Sequence, residues 1–81
     1  METVTVTVDD VYVPVKMRRM LNKAKLETVT ETILETEHVT PIRVRRDGDR
    51  IILVNGLHRL EACKALGETT VTAFVVQAAQ H

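Results

Sequence analysis

The sequence predicts an α+β fold, a small mixed sheet of about four strands with two main helices. Three observations lead to this prediction. Residues 3–8 alternate Thr and Val with period two, which is typical of a half-buried strand. Apolar residues recur at helical spacing within residues 23–35. An Asp-Gly pair at positions 47 and 48 lies between two alternating runs, which indicates a hairpin.

The size and composition predict one domain that spans residues 1–81. A chain of 81 residues lies within the range of a single ordinary domain. Hydrophobic residues make up 44% of the chain and charged residues 27%, as in globular proteins. Since Tyr12 and Phe74 are the only aromatic residues, we expect a core of Val, Leu, Ile and Ala.

The first strand places Val4, Val6 and Val8 on one face. Pro14 follows, and proline cannot donate a backbone hydrogen bond to a strand ladder. The segment after the strand is therefore predicted to be an extended loop or a sheet edge. This segment ends in the basic pair Arg18 and Arg19.

The first main helix is predicted from about Lys23 to Glu35. Asn22 is available as its N-cap, and Leu26, Val29 and Ile33 form its apolar stripe. Pro41 ends the loop that follows.

The second half of the chain predicts a hairpin, a shorter helix and a closing strand. "PIRVRR" and "RIILV" flank the "DGD" turn at 47–49 as the two hairpin strands. "LHRLEACKAL" then places Leu57, Leu60 and Ala65 among polar positions of a helix, and Gly67 follows the helix end. "TTVTAFVV" is the fourth predicted strand.

Charge and cysteine content narrow the range of functions. Eleven basic and eleven acidic residues cancel, which removes the net positive field used in non-specific nucleic-acid binding. The single cysteine, Cys63, cannot form an internal disulfide and is interpreted as a small core residue. We expect no metal site, because Asp47 and Asp49 are explained by the hairpin turn.

No apolar run is long enough for a membrane span, and no signal peptide is recognised, which predicts a cytoplasmic protein without a membrane partner.

The stretch "VNGLHRLEACKALG", residues 54–67, has the pattern of an anion-binding strand, turn and helix. Gly56 permits a sharp turn, and the helix start exposes unpaired backbone N–H groups. His58 and Arg59 lie in the first helical turn, where cations oppose the helix dipole unless an anion is present. The alternative is a turn glycine followed by two solvated side chains.

A second polar stripe lies on the first main helix. Lys25, Thr28 and Thr32 occupy positions i, i+3 and i+7, beside the apolar stripe. These side chains could line a ligand site at the edge of the core. The alternative is a solvated polar face.

The chain resembles the ParB N-terminal and sulfiredoxin-like domain family from about Val11 to Val76, through "LETVTETILETEHVTPIRV", "GLHRLEACKALGE" and "TAFVV". The resemblance implies an α+β fold that holds nucleotide phosphates at the start of the helix after the glycine turn. It matches Gly56, His58 and Arg59 to the family's phosphate loop and Lys25, Thr28 and Thr32 to its nucleotide contacts. The implied ligand is ATP, ADP or CTP, with Mg²⁺.

The chain departs from this family at Leu57. Sulfiredoxins have a cysteine at this position and ParB proteins a glutamate, so the resemblance implies no catalytic residue here. Leucine can neither take a proton nor attack phosphorus. The carboxylates that could act as a base instead are Asp9, Asp10, Glu27 and Glu61.

Three functions therefore remain open. The first is a nucleotide-binding module, and the second is a nucleotide-dependent phosphotransferase or hydrolase. The third is a partition or DNA-associated accessory domain, which would contact DNA weakly or through another protein. Arg18 and Arg19 are candidate phosphate or partner contacts, and exposed sheet edges make a homodimer a further possibility.

Overall fold

The computed structural model describes residues 3–36 and 40–76. It contains five strands and three α-helices. The strands are β1 (Thr3–Thr7), β2 (Val11–Tyr12), β3 (Ile42–Asp47), β4 (Arg50–Asn55) and β5 (Thr70–Val75). The helices are α1 (Val15–Arg18), α2 (Lys23–Thr36) and α3 (Leu57–Ala65), and a 3-10 turn spans Val8–Asp10. The outer limits of the predicted domain, and part of the loop before Pro41, lie outside the described residues.

The five strands form one mixed sheet in the order β1-β5-β3-β4-β2. β1 is antiparallel to β5 and β3 is antiparallel to β4, whereas β3–β5 and β2–β4 are parallel. This confirms the predicted α+β class with a mixed sheet. The additional strand, β2, consists of two residues that pair with Ile51 and Ile52. It lies in the segment predicted to be a loop or edge, and Pro14 follows it closely.

The core consists of aliphatic side chains from one face of the sheet and from α3. Ile42, Val44, Leu53 and Leu60 are its most deeply buried members. Leu57 and Cys63 complete the contribution of α3 to this cluster. Ala65 is exposed, so the prediction that it belongs to the apolar face of α3 was wrong; Ala62 and Cys63 are buried instead.

Helix α2 agrees with the prediction to within one residue at its carboxyl end. Oδ1 of Asn22 accepts a hydrogen bond from the backbone N–H of Lys25 at 3.1 Å, which is the predicted N-cap. The stripe of Leu26, Val29 and Ile33 is only half-buried. α2 packs against α3, and none of its residues belongs to the main core cluster.

The hairpin and the end of α3 also follow the prediction. Gly48 adopts φ +60° in the turn between β3 and β4. Gly67, with φ +80°, ends α3, and the N–H of Glu68 donates to the carbonyl of Cys63 at 2.9 Å. Within residues 3–36 and 40–76, no helix combines the length and apolarity needed to cross a membrane.

Candidate functional site

Gly56 connects β4 to α3 in a conformation that other residues rarely adopt. It is the N-cap of α3, with φ 104° and ψ 27°. A Cβ atom at this position would lie 2.8 Å from Cγ2 of Ile42, a separation shorter than Cβ atoms in proteins show to non-bonded neighbours. Glycine is therefore needed at position 56 both for the backbone angle and for the close approach of this turn to β3.

The amino end of α3 has no side-chain cap among the described residues. The first intrahelical hydrogen bond runs from the N–H of Leu60 to the carbonyl of Gly56, at 2.9 Å. The N–H groups of Leu57, His58 and Arg59 precede this bond and so have no partner within the helix. Together with the positive end of the helix dipole, they favour an anion at this position.

A cleft of 450 Å³ lies at the start of α3. Four of the six predicted nucleotide contacts line it: Lys25 from α2, together with Gly56, His58 and Arg59. The remaining lining residues are Met17, Met20, Asn22, Val29, Asn55 and Leu57. The cleft thus brings cations from two helices to one uncapped helix end.

His58 connects the two helices that border the cleft. Its Nε2 accepts a hydrogen bond from the backbone N–H of Asn22 at 3.0 Å. In this arrangement Nε2 of His58 serves as an acceptor and not as a donor to an anion. Lys25 and Arg59 line the same cleft, and the role of His58 as a phosphate contact stays a prediction.

Thr28 and Thr32 do not line this cleft. Both are exposed; the hydroxyl of Thr28 donates to the carbonyl of Ala24 at 3.1 Å, and that of Thr32 donates to the carbonyl of Thr28 at 2.9 Å. Such bonds are a local alternative to ligand contacts for threonine in a helix. Their assignment as nucleotide contacts stays a prediction.

Arg18 and Arg19 also lie away from the cleft. Nε of Arg18 donates to the carbonyl of Val13 at 3.0 Å, and Arg18 lines a second cleft of 460 Å³, which also includes Leu57. Arg19 is exposed at the end of α1. Their role as phosphate or partner contacts stays a prediction.

Leu57 is a wall shared by the two clefts. It is 7% exposed, belongs to the core cluster and lines both the first and the second cleft. Among the described residues that line the first cleft there is no carboxylate, whereas Asp9 and Glu61 line the second. Glu61 also forms an ion pair of 3.6 Å with Lys64, three residues further along α3.

Cys63 is a buried core residue, as predicted. It is 3% exposed and packs within the core cluster. Burial, and secondarily the negative charge of Glu68, raise the pKa of its thiol. A raised pKa disfavours the thiolate needed for nucleophilic or redox chemistry. Within the described residues, no group of three or more His, Cys, Asp or Glu side chains could hold a metal ion.

Several lining residues were missed by sequence reasoning. Asn22 was recognised as a helix cap but not as part of a site, and Asn55 precedes the glycine turn without a motif of its own. Met17 and Met20 come from the segment predicted to be a loop. No spacing in the sequence connects Met17, Met20 and Asn22 to the start of α3, because only the fold brings residues 17–22 to the cleft.

Comparison with known proteins identifies the family. The model of the ParB N-terminal domain matches residues 1–81. No curated protein sequence matches the chain.

Solved structures with the same fold include proteins of different activities. Sulfiredoxin from Arabidopsis thaliana is 20% identical, with a TM-score of 0.82 over 96% of this chain and 88% of that protein. Chromosome-partitioning protein ParB from Caulobacter crescentus, complexed with CTP-γ-S, is 24% identical, with a TM-score of 0.77 over 99% of this chain and 47% of that chain. A free serine kinase variant in complex with ADP is 16% identical, with a TM-score of 0.81 over 94% of this chain and 31% of that chain. The chain thus spans less than half of the ParB structure and about a third of the kinase.

Proposed function

The chain belongs to the ParB N-terminal domain family, and from that premise we propose that it binds a nucleotide with its phosphates at the start of α3. The observation that carries the proposal is the 450 Å³ cleft in which Lys25 and Arg59 lie beside the uncapped end of α3. A helix start supplies backbone donors, and the two side chains supply charge-assisted hydrogen bonds. The volume lies within the range usual for small-molecule sites.

The apolar part of the cleft suits the rest of the nucleotide. Met17, Met20 and Val29 line it together with the polar amides of Asn22 and Asn55. Thioether and aliphatic groups can cover the face of a base, and amides can bond its edge or the ribose. The structures of ParB with CTP-γ-S and of the kinase with ADP support a nucleotide ligand in general. ATP, ADP and CTP are the candidates.

Phosphate binding changes the hydrogen bonding expected of His58. A phosphate oxygen accepts hydrogen bonds, so Nε2 of His58 could contact it only as a donor. The bond from the N–H of Asn22 would then be lost. Arg59 and Lys25 need no such change, and we therefore assign the main phosphate contacts to them and to the backbone N–H groups of α3.

Mg²⁺ would enter the site only with the nucleotide. This ion prefers oxygen ligands and commonly retains several waters. Because the part of the first cleft formed by residues 3–36 and 40–76 has no carboxylate, the phosphates and water would supply its ligands, together with amide oxygens. The same geometry makes binding the best-supported function, because a hydrolase or phosphotransferase also needs a positioned base.

The test is calorimetric titration of ATP, ADP and CTP, each with and without Mg²⁺, into the wild type and two variants. Removing the Arg59 contacts in Arg59→Ala should weaken affinity by about 10- to 100-fold, as expected for hydrogen bonds to a charged group. Arg46→Ala, which removes an exposed arginine of β3 outside the cleft, is the matched control and should keep the wild-type affinity.

Equal affinities for the wild type and Arg59→Ala would contradict the proposed site. Failure of all three nucleotides to bind the wild type would contradict the function itself. Incubation of labelled ATP and CTP with Mg²⁺ completes the test, because release of phosphate would favour the enzymatic alternative over binding alone. A gel-shift assay at physiological salt tests the remaining prediction of weak DNA contact.

A further inference from the structure

Strand β1 exposes one row of backbone hydrogen-bonding groups at an edge of the sheet. The N–H of Val8 donates to the carbonyl of Thr69 at 3.0 Å, in continuation of the register Val6↔Val71 and Val4↔Ala73. Hydrogen-bonded and non-hydrogen-bonded pairs alternate along an antiparallel ladder. Val4 and Val6 therefore bond to β5, and the backbone groups of the alternate residues Thr3, Thr5 and Thr7 point away from β5.

No described strand pairs with β1 on that side. Free edges are usually protected by charge, proline, bulges or short length. The opposite edge of the sheet has such protection, since β2 has two residues and is followed by Pro14. β1 has five residues, all Thr or Val, without charge, proline or bulge.

We propose that β1 pairs antiparallel with β1 of a second copy of this chain, centred on Thr5. In this register Thr5 lies opposite Thr5 of the second copy, and Thr3 opposite Thr7. All three residues direct their backbone groups outward, so each opposed pair can exchange two hydrogen bonds. The contact is self-complementary, as the two-fold symmetry of a homodimer requires.

Side chains are also compatible with this pairing. The exposed Thr3, Thr5 and Thr7 would form cross-strand threonine pairs on one face, an arrangement that stabilises sheets. On the other face Val4, which is only partly buried, would lie opposite Val6 of the second copy. No charged side chain within β1 would meet a like charge. The two five-stranded sheets would join into one continuous sheet.

The dimer would leave the nucleotide site accessible. No residue of β1 lines the 450 Å³ cleft. The proposal is therefore independent of the proposed function, and each can fail without the other.

The first experiment is sedimentation equilibrium of the full chain from micromolar to millimolar concentration. The apparent mass of the wild type should rise from 9.1 kDa toward twice that value. Thr5→Pro removes an N–H that points outward and leaves the hydrogen bonds of Val4 and Val6 to β5 in place, so this variant should stay monomeric.

Hydrogen exchange adds a residue-specific measurement. The amides of Thr3, Thr5 and Thr7 should gain protection as the protein concentration rises, while those of Val4 and Val6 stay protected at every concentration.

A second pair of variants keeps the test decisive if Thr5→Pro does not fold. Thr5→Lys places two ammonium groups at the two-fold axis, so it should abolish the dimer at low salt and recover part of it at high salt. Thr72→Lys is the matched control, because Thr72 lies opposite Thr5 but within the sheet; it should dimerise like the wild type. The proposal would be overturned if the wild type stays at 9.1 kDa or if the Thr5 variants dimerise as well as the wild type. It would also be overturned if Thr72→Lys weakens the dimer as much as Thr5→Lys does.

Discussion

The substitution Gly56→Ala would place a methyl group against the centre of the sheet. The added Cβ would lie 2.8 Å from Cγ2, 3.0 Å from Cβ and 3.2 Å from Cα of Ile42. Ile42 is fully buried in β3, a strand paired on both sides. Its backbone and branched side chain cannot move without disturbing this packing, so the start of α3 would have to shift instead.

Two contributions determine the size of this effect. Alanine at φ +104° would occupy a disfavoured backbone region, which costs about 1–3 kcal/mol. Inserting a methyl group into a packed core costs a further amount of about 1–3 kcal/mol. The expected loss in the free energy of unfolding is therefore about 2–6 kcal/mol, a large part of the roughly 5–15 kcal/mol typical of a domain.

Urea denaturation measures this loss, and Gly48→Ala separates its two contributions. Gly48 also has a positive φ, +60°, but a Cβ there would meet no atom within 4 Å. Gly48→Ala should therefore show only the backbone contribution, about 1–2 kcal/mol. If both variants lose the same free energy of unfolding, the contact with Ile42 contributes nothing and the reasoning about Gly56 is refuted.

Two further predictions concern the helices. His58→Ala removes the acceptor of the Asn22 N–H and should cost about 0.5–1.5 kcal/mol in urea denaturation, whereas His58→Gln, which keeps an acceptor, should cost less; equal losses would contradict a role for this bond. Folding raises the pKa of the Cys63 thiol above 9.0, so its protonated form is favoured in the native state. The resulting stabilisation is fully present below pH 9 and is lost as pH rises through the raised pKa. Cys63→Ala should consequently lose less stability than the wild type above pH 9, and parallel stability profiles would contradict this effect.

The sequence predicts most of the fold because its local signals are strong. The Asp-Gly turn, the Asn22 cap and the glycine after α3 each determine an element boundary through their own backbone preferences. Strand β2 and helix α1 were predicted only as an extended loop or edge. Each has four residues or fewer, and their structure depends on contacts distant in sequence, such as the pairing of Val11 with Ile51.

The site was predictable at α3 and less so at α2. The uncapped start of α3, with Gly56, His58 and Arg59, follows from one continuous stretch of chain. On α2, helical spacing relates Lys25 to Thr28 and Thr32, but it does not determine which side of Lys25 faces the neighbouring helix. In the structure α2 lines the cleft with Lys25 and Val29, which are at positions i and i+4 of the helix. Because the apolar stripe packs toward α3, the cleft lies toward Val29 and away from the threonines.

The position of Leu57 connects the fold to the limits of the function. Sulfiredoxins and ParB proteins, which the chain resembles, have a cysteine or a glutamate at the position of Leu57, at the start of α3. In this chain the residue is a buried leucine that packs in the core and lines both the first cleft and the second, which Asp9 and Glu61 also line. A nucleotide in the first cleft would meet donors and cations on one side and an apolar wall on the other. Among the described residues, the first cleft thus presents the donors and cations that favour an anion, whereas the carboxylates of Asp9 and Glu61 line the second cleft.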